Sequence, residues 1–131
     1  MANWIIPCNL RYYDVVGAFS KLKKLDWKQS AKNMAVGDYV YIYVANPIGA
    51  IRFKCLITKV NLPTIEIDDR EFIINGDNYV DYGNHMELEL VRSYEDQLRL
   101  DVLRELGLKG NIQGPCHMNT AILNYVEELD R

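Results

Sequence analysis

The segment Asp26-Trp27-Lys28-Gln29-Ser30 surrounds one indole ring with side chains that form hydrogen bonds. It shows neither helical nor strand periodicity, and it lies between a basic segment and an alternating one. An aromatic ring offers a flat surface for stacking, while an ammonium, an amide and a hydroxyl can bind the edge of a stacked group. The segment therefore predicts a binding surface for a planar, polar heterocycle.

Residues typical of catalysis do not form a recognisable motif. His85 and His117 have no cysteine, serine or carboxylate at the spacing of a catalytic or zinc motif, so both are predicted to be structural or solvated. Residues 107–114 lack the ending of a phosphate-binding P-loop. The adjacent acids Asp68-Asp69 and Glu127-Glu128 are expected to be solvated rather than to bind metal. We therefore expect a protein that is not an enzyme and that holds no metal or cofactor.

The size of the chain predicts one domain over residues 1–131, with 49% hydrophobic residues to form its core. The three cysteines, Cys8, Cys55 and Cys116, are odd in number and scattered, which favours reduced and mostly buried thiols over disulfides. No apolar run reaches the roughly 20 residues that cross a bilayer, and the amino terminus lacks the features of a signal peptide. The sequence thus predicts a cytoplasmic protein without a membrane partner.

The two halves of the chain carry opposite net charge. Residues 1–60 contain nine Lys or Arg against three Asp or Glu, whereas residues 61–131 contain six against fifteen. Phosphates would be attracted by the first half and repelled by the second. An anionic partner is therefore expected to approach the half that contains Trp27; the alternative is a surface pattern without a partner.

Hydrophobic periodicity and capping residues predict four strands and three helices. These are strands over 3–8, 39–44, 50–60 and 86–90, and helices over 10–24, from the cap Ser93 to Gly107, and over 119–130. Residues 61–84 are predicted to be an irregular excursion with one short strand over 71–74, and residues 107–115 a shaped loop. In 39–44, alternation places Val40, Ile42 and Val44 on one face and three tyrosines on the other. The turn Asn-Pro-Ile-Gly at 46–49 predicts that this strand pairs with 50–60 as an antiparallel hairpin. The order of elements predicts an α+β domain with a curled sheet or partly closed barrel and helices outside it.

Five segments of the chain together resemble the EVE domains of the PUA-like superfamily. They are NWIIPCN at 3–9, YYD at 12–14, DWKQS at 26–30, VGDYVYIY at 36–43 and GLKGNIQGP at 107–115. The resemblance is closest to the EVE-like modules found beside HNH nucleases in bacterial modification-dependent restriction proteins. It implies a PUA-like curled, mostly antiparallel β-barrel flanked by helices. No HNH motif follows in this chain, so the resemblance does not extend to nuclease activity.

The resemblance also implies a site, since EVE domains and their YTH relatives are thought to receive a flipped base in an aromatic pocket. Trp27 would stack on the base, and Lys28, Gln29 and Ser30 would meet its edge or a nearby phosphate. The implied walls are Asn9 and Tyr12 on one side and Tyr43, Gln113 and Gly114 on another. The cations expected at the flanking phosphates are Arg11, Lys21, Lys24, Lys32 and Arg52.

These observations predict a non-catalytic reader of a modified base, with 5-methylcytosine or 5-hydroxymethylcytosine in DNA as the expected targets and RNA as the alternative polymer. Two other classes stay open. A free-nucleotide sensor would use the same cleft without a polymer, and an interaction module would be the specificity subunit of a separately encoded nuclease or toxin. A steep loss of affinity with salt would distinguish a DNA reader from the sensor.

Overall fold

Six strands, three α-helices and one 3₁₀ turn are present in the computed structural model, which describes residues 1–63, 67, 70–74 and 84–131. The strands are β1 (Asn3–Cys8), β2 (Lys24–Lys28), β3 (Tyr39–Val44), β4 (Ala50–Leu62), β5 (His85–Ser93) and β6 (Cys116–His117). The helices are α1 (Val15–Lys21), α2 (Leu100–Glu105) and α3 (Thr120–Leu129), and the 3₁₀ turn covers Arg70–Phe72.

The strands form one mixed sheet in the order β2-β5-β4-β3-β1-β6. β1 runs parallel to β3, and the other neighbouring pairs are antiparallel, including the predicted β3–β4 hairpin. The prediction of an α+β fold is thus confirmed. The predicted barrel is not, because no pairing among the described strands joins β2 to β6 and the sheet remains open.

Alternation along the strands divides the core between the two faces of this sheet. On the first face, Ile6, Ile42 and Phe53 pack with α1. On the second face, Tyr41 and Ile51 pack with α2 and α3. The predicted division of β3 is confirmed, since Val40, Ile42 and Val44 lie in the first core and the tyrosines in or against the second.

The predicted helix over 10–24 was too long. α1 begins at Val15, and its N-cap is Asp14, whose Oδ1 accepts from the Gly17 amide at 3.0 Å. Residues 9–13 instead form a turn, in which Tyr13 bridges Ile73. A helix there would lose this pairing, so tertiary contacts decide the helix start.

The prediction that the Trp27 segment is irregular was also wrong. Lys24–Lys28 forms β2, with Leu25 and Trp27 directed to the first core and Asp26 on the opposite face. Residues 24–28 do alternate between polar and apolar side chains, but this short period-two signal overlaps at Lys24 with the helix predicted over 10–24, and the prediction missed it.

The remaining predictions had mixed outcomes. The cap predicted at Ser93 was wrong, because Ser93 ends β5 and α2 begins only at Leu100. The last helix is confirmed, with Asn119 Oδ1 accepting from the Ile122 amide at 2.8 Å. The short strand predicted over 71–74 is wrong, since a 3₁₀ turn covers 70–72 and only Ile73 bridges Tyr13. The Asp68-Asp69 pair and residues 64–66 and 75–83 of the predicted excursion lie outside the described residues.

Cys8 and Cys55 are buried as predicted, and Cys116 is half-buried. Burial, with a smaller contribution from Asp14, raises the pKa of the Cys8 thiol to about 12. Burial also raises the pKa of Cys55. Among the described helices, none combines the length and the apolar composition needed to cross a membrane.

Candidate functional site

Trp27 lies half-buried on β2, which of the described strands pairs only with β5. Its ring meets that of Tyr13 in a T-shaped arrangement, with 5.5 Å between centroids and 81° between planes. Tyr13 is 1% exposed, so the ring that contacts Trp27 is itself fixed in the first core. The structure therefore holds one part of the indole and leaves another part accessible.

The turn over residues 9–13 connects Asn9 and Tyr12 to this aromatic pair. The amides of Tyr12 and Tyr13 donate to the Asn9 carbonyl at 3.0 and 3.3 Å, and Asn9 Oδ1 accepts from the Arg11 amide at 2.9 Å. The Ile74 amide donates to the Tyr12 carbonyl at 2.8 Å and fixes the turn from outside. We define the Trp27 region as residues 9–13 and 27–32. Asn9, Arg11, Lys28, Ser30 and Lys32 are exposed there.

Both ends of the half-buried Gln29 side-chain amide form hydrogen bonds within the protein. Its Oε1 accepts from the Asn61 amide at 2.8 Å, and its Nε2 donates to Asn61 Oδ1 at 3.2 Å. The Gln29 backbone amide donates to the Asn84 carbonyl at 3.0 Å. This amide cluster, Gln29, Asn61 and Asn84, joins the loop after β2 to the end of β4 and the start of β5. Gln29 therefore shapes the Trp27 region, and its side chain is already hydrogen-bonded.

Asn61 and Asn84 were not singled out from the sequence. In the structure Asn61 adopts a positive φ of 58°, a conformation in which asparagine is several-fold enriched, but the residue type alone did not mark this position in the sequence. Tyr13 was one of several tyrosines that the sequence could not rank. Only the fold shows that Tyr13 contacts Trp27.

The cations predicted to hold phosphates differ in their partners. Lys21 pairs with Glu71 at 3.2 Å, and Lys24 lies 3.6 Å from Glu87 and 3.7 Å from Glu89. In contrast, no ion pair joins Arg11 or Lys32 to a carboxylate of the described residues. Of this predicted set, Arg11, Lys32 and Arg52 therefore form no salt bridge within the described part of the chain, and Arg11 and Lys32 are the two that lie in the Trp27 region.

Lys24 forms an ion pair with Glu87, a buried carboxylate. Its carboxylate is 5% exposed and accepts from Thr58 Oγ1 at 2.8 Å. Burial alone would raise the pKa of Glu87, but the Thr58 hydrogen bond and the charges of Lys59 and Lys24 lower it below its ordinary value. The ionised Glu87 is thus stabilised by both Lys59 and Lys24, each 3.6 Å from its carboxylate.

Arg52 and Tyr43 lie elsewhere in the sheet. Arg52, near the start of β4, donates from Nε to the Tyr94 carbonyl at 2.7 Å, and the Trp27 end of the sheet is level with the last residues of β4. At about 3.3 Å per residue, Arg52 and the residues level with Trp27 are separated by roughly 25 Å along β4. Tyr43 belongs to the second core, on the face opposite to Trp27. The structure therefore does not bring these two residues to the Trp27 region.

Gln113 and Gly114 line a different cavity, of about 470 Å³, within residues 107–119. This loop leads into β6, and β6 and β2 occupy the two ends of the strand order. His117 also lines the cavity, and its ring packs on Trp4 with 4.0 Å between centroids. The predicted wall residues are thus divided among three places, and only Asn9 and Tyr12 adjoin the aromatic pair.

Several solved structures resemble this one over nearly their whole length. Human THYN1 in complex with DNA containing 5-methylcytosine matches with a TM-score of 0.67 over 100% of this chain and 98% of its own, at 11% identity. ASCH from Zymomonas mobilis matches with a TM-score of 0.66 over 98% and 95% of the two chains, at 12% identity. A protein from Pseudomonas putida matches with a TM-score of 0.65 over 99% and 100%, at 17% identity.

No protein-family model and no curated protein match the sequence. At these identities the structural likenesses show that the chain shares the fold of these proteins. Membership of the PUA-like superfamily stays a prediction from the sequence. The closer likeness to EVE modules associated with HNH nucleases stays a prediction.

Proposed function

We propose that this chain binds nucleic acid through the Trp27 region and recognises a modified base there, with 5-methylcytosine or 5-hydroxymethylcytosine in DNA as the first candidates. The observation that carries the proposal is the half-buried indole held by Tyr13, in a fold shared with a protein crystallised on DNA containing 5-methylcytosine. Base flipping is the proposed mode of entry, since a base inside a duplex presents no face for stacking.

Stacking on Trp27 supplies affinity in this proposal. A base stacked on an aromatic side chain contributes about 1–3 kcal/mol. Because Tyr13 and the first core already restrict the indole, little side-chain entropy is lost when a base stacks on it.

In this proposal, polar groups around the indole determine which base is recognised. Gln29 is bonded to Asn61, so we assign it to shaping the site rather than to reading the base. The side-chain amide nitrogen of Asn9 donates to none of the described residues, while its oxygen is occupied by the Arg11 amide. Asn9 can therefore donate to an acceptor on the base edge, and the exposed Ser30 and Lys28 extend the polar rim.

Arg11 and Lys32 are the proposed phosphate contacts, because neither forms an ion pair with a described carboxylate. Each phosphate contact releases counterions, so affinity falls as salt rises. Residues 9–13 and 27–32 contain no histidine and no cysteine. We therefore propose recognition without catalysis, with cleavage left to a separately encoded nuclease if one is recruited.

The test is binding of fluorescent oligonucleotides, single-stranded and duplex, that differ only in one cytosine, 5-methylcytosine or 5-hydroxymethylcytosine. Wild type should prefer a modified oligonucleotide and lose affinity steeply with salt. Trp27→Leu, which keeps apolar packing, should bind about 10-fold or more weakly, whereas Trp27→Phe should lose less. Lys109→Gln removes an exposed cation from the loop over residues 107–115, outside the Trp27 region, and should bind like wild type.

Two results would contradict the proposal. Equal affinity of wild type and Trp27→Leu for every oligonucleotide would remove the Trp27 region as the site. Tight binding of a free modified nucleoside with no salt dependence would replace the DNA reader by a nucleotide sensor.

A further inference from the structure

A second cavity, of about 680 Å³, lies between the turn over residues 45–49 and α2. Its lining includes Tyr43 and Leu100, which belong to or pack against the second core, and Ile48, which packs against the first core. None of its lining residues belongs to the Trp27 region over residues 9–13 and 27–32. The volume is in the range of small-molecule sites, about 300–1,000 Å³. This cavity, called the α2 cavity below, is therefore separate from the proposed base-binding region.

The hydroxyl of Tyr43 is an unused hydrogen-bonding group in the α2 cavity. Tyr43 is 7% exposed, and its hydroxyl has no hydrogen-bond partner among the described residues. A Cβ placed on Gly49 would lie 3.9 Å from that oxygen and 3.4 Å from Asn46 Oδ1, so the hydroxyl, the turn backbone and the Asn46 amide are neighbours. The hydroxyl is therefore available to donate a hydrogen bond to a ligand atom in the cavity.

Arg104 lines the same cavity and keeps donors available. Its Nη2 donates to Asn111 Oδ1 at 3.1 Å, and no ion pair joins it to a described carboxylate. A guanidinium has five N–H donors, so one hydrogen bond leaves most of them unused. Burial raises the pKa of Tyr43, and the positive charge of Arg104 opposes that rise, as expected for two groups that face one space.

The other charged groups restrict the ligand. Arg99 pairs with Asp101 at 3.7 Å, and both line the cavity with Glu105. The two acids would repel a dianion such as a phosphate monoester, whereas a single negative charge can be placed between Arg104 and Tyr43. Pro47, Ile48 and Leu100 provide an apolar surface for the rest of the molecule.

We propose that the α2 cavity binds a small organic carboxylate, whose oxygens accept hydrogen bonds from the Tyr43 hydroxyl and the Arg104 guanidinium and whose apolar body packs on Ile48 and Leu100. This site does not depend on the function proposed for the Trp27 region. It is lined by residues of α2 and the β3–β4 turn that the nucleic-acid proposal leaves unused.

The test is a titration of the ¹⁵N-labelled full chain, with the amide signals of Gly49 and Leu100 as readout. The probes are sodium benzoate, benzamide, sodium acetate and inorganic phosphate. Benzoate should give saturable shifts, while benzamide lacks the charge and acetate lacks the apolar body, so both should bind more weakly. Tyr43→Phe and Arg104→Gln should each weaken benzoate binding about 10-fold, as expected for loss of a hydrogen bond to a charged group.

Arg131→Gln is the matched control, since Arg131 is exposed and pairs with Glu128 away from the cavity. It should leave benzoate binding unchanged. Arg104 is exposed, so Arg104→Gln tests the proposal even if Tyr43→Phe alters stability. Shifts that never saturate, equal binding by wild type and both variants, or binding of phosphate in preference to benzoate would each overturn the proposal.

Discussion

The ring of Tyr13 meets the ring of Trp27 at 81°, with 5.5 Å between their centroids. Tyr13 ends the turn after β1, and Trp27 lies on the edge strand β2, so this contact joins two distant parts of the sheet. Such aromatic pairs contribute about 0.5–1.5 kcal/mol beyond their buried area. The pair therefore fixes the indole that we propose as the stacking surface.

Tyr13→Leu should weaken both folding and nucleic-acid binding. We expect the free energy of unfolding to fall by about 2 kcal/mol, because the substitution removes the ring contact and part of the core packing. Binding of a modified oligonucleotide should also weaken, since Trp27 would lose its support. Urea unfolding and fluorescence anisotropy measure the two effects.

Phe19→Leu is the control for Tyr13→Leu, because Phe19 packs on Phe53 in the same core with 4.9 Å between centroids. It should cost similar stability and leave oligonucleotide binding intact. If the two variants weakened binding equally, the positioning role of Tyr13 would be wrong.

Gln29→Ala should loosen the loops of the Trp27 region without a large change in global stability. The Asn61 amide, which donates to Gln29 Oε1 at 2.8 Å, should exchange its hydrogen about fivefold faster, the effect of losing roughly 1 kcal/mol. Native-state hydrogen exchange by NMR measures this rate. Asn33→Ala, at an exposed position of the same loop, should not change it; an unchanged rate in Gln29→Ala would show that the amide cluster does not hold the loops.

Asp130→Asn should destabilise the docking of α3 on the sheet. The Asp130 carboxylate accepts from Lys54 at 3.0 Å, from Arg92 at 2.8 Å and from the Tyr94 hydroxyl at 2.9 Å. Lys54 and Asp130 are 17% and 20% exposed, so removing the charge leaves a largely buried ammonium, and we expect a loss of about 2 kcal/mol in urea unfolding. Glu128→Gln, which breaks only the exposed pair with Arg131, should change stability by less than about 0.5 kcal/mol. Equal effects of the two variants would contradict this interpretation.

Asp38 should contribute to acid unfolding. Burial alone would raise its pKa, but hydrogen bonds from the Ala2 amide, the Trp4 indole and the Ala35 amide lower it below the ordinary 3.8. A carboxyl whose pKa is lower in the folded state stabilises the protein above its unfolded pKa, and this contribution is lost as pH falls through the folded pKa.

Asp38→Asn should therefore be less stable than wild type at neutral pH and should lose less stability on acidification. The measurement is urea unfolding at about pH 6 and about pH 3. These values lie on either side of 3.8, the ordinary pKa of an aspartate carboxyl. Other carboxyl groups titrate in both proteins, so the difference between the two slopes reports Asp38. Parallel slopes would mean that Asp38 binds its proton equally well in the folded and unfolded chains.

The sequence by itself determined the elements with strong local signals. Alternation predicted which residues of β3 share a face, the Asn-Pro-Ile-Gly turn predicted the hairpin with β4, and Asn119 predicted the start of α3. It also identified Trp27 as an indole with polar neighbours that remains partly accessible. These features depend on neighbours within a few residues, where backbone geometry fixes side-chain direction.

Only the tertiary structure decided which distant residues meet. Period-two alternation shows that Tyr39, Tyr41 and Tyr43 share one face of β3. It does not show that α2 and α3 cover this face, so the pattern alone could not place Tyr43 away from Trp27. The partner of Gln29 is Asn61, 32 residues away, and the partner of Trp27 is Tyr13. These pairings follow from the strand order β2-β5-β4-β3-β1-β6, which is set by the burial of apolar surface summed over the whole chain rather than by any one segment.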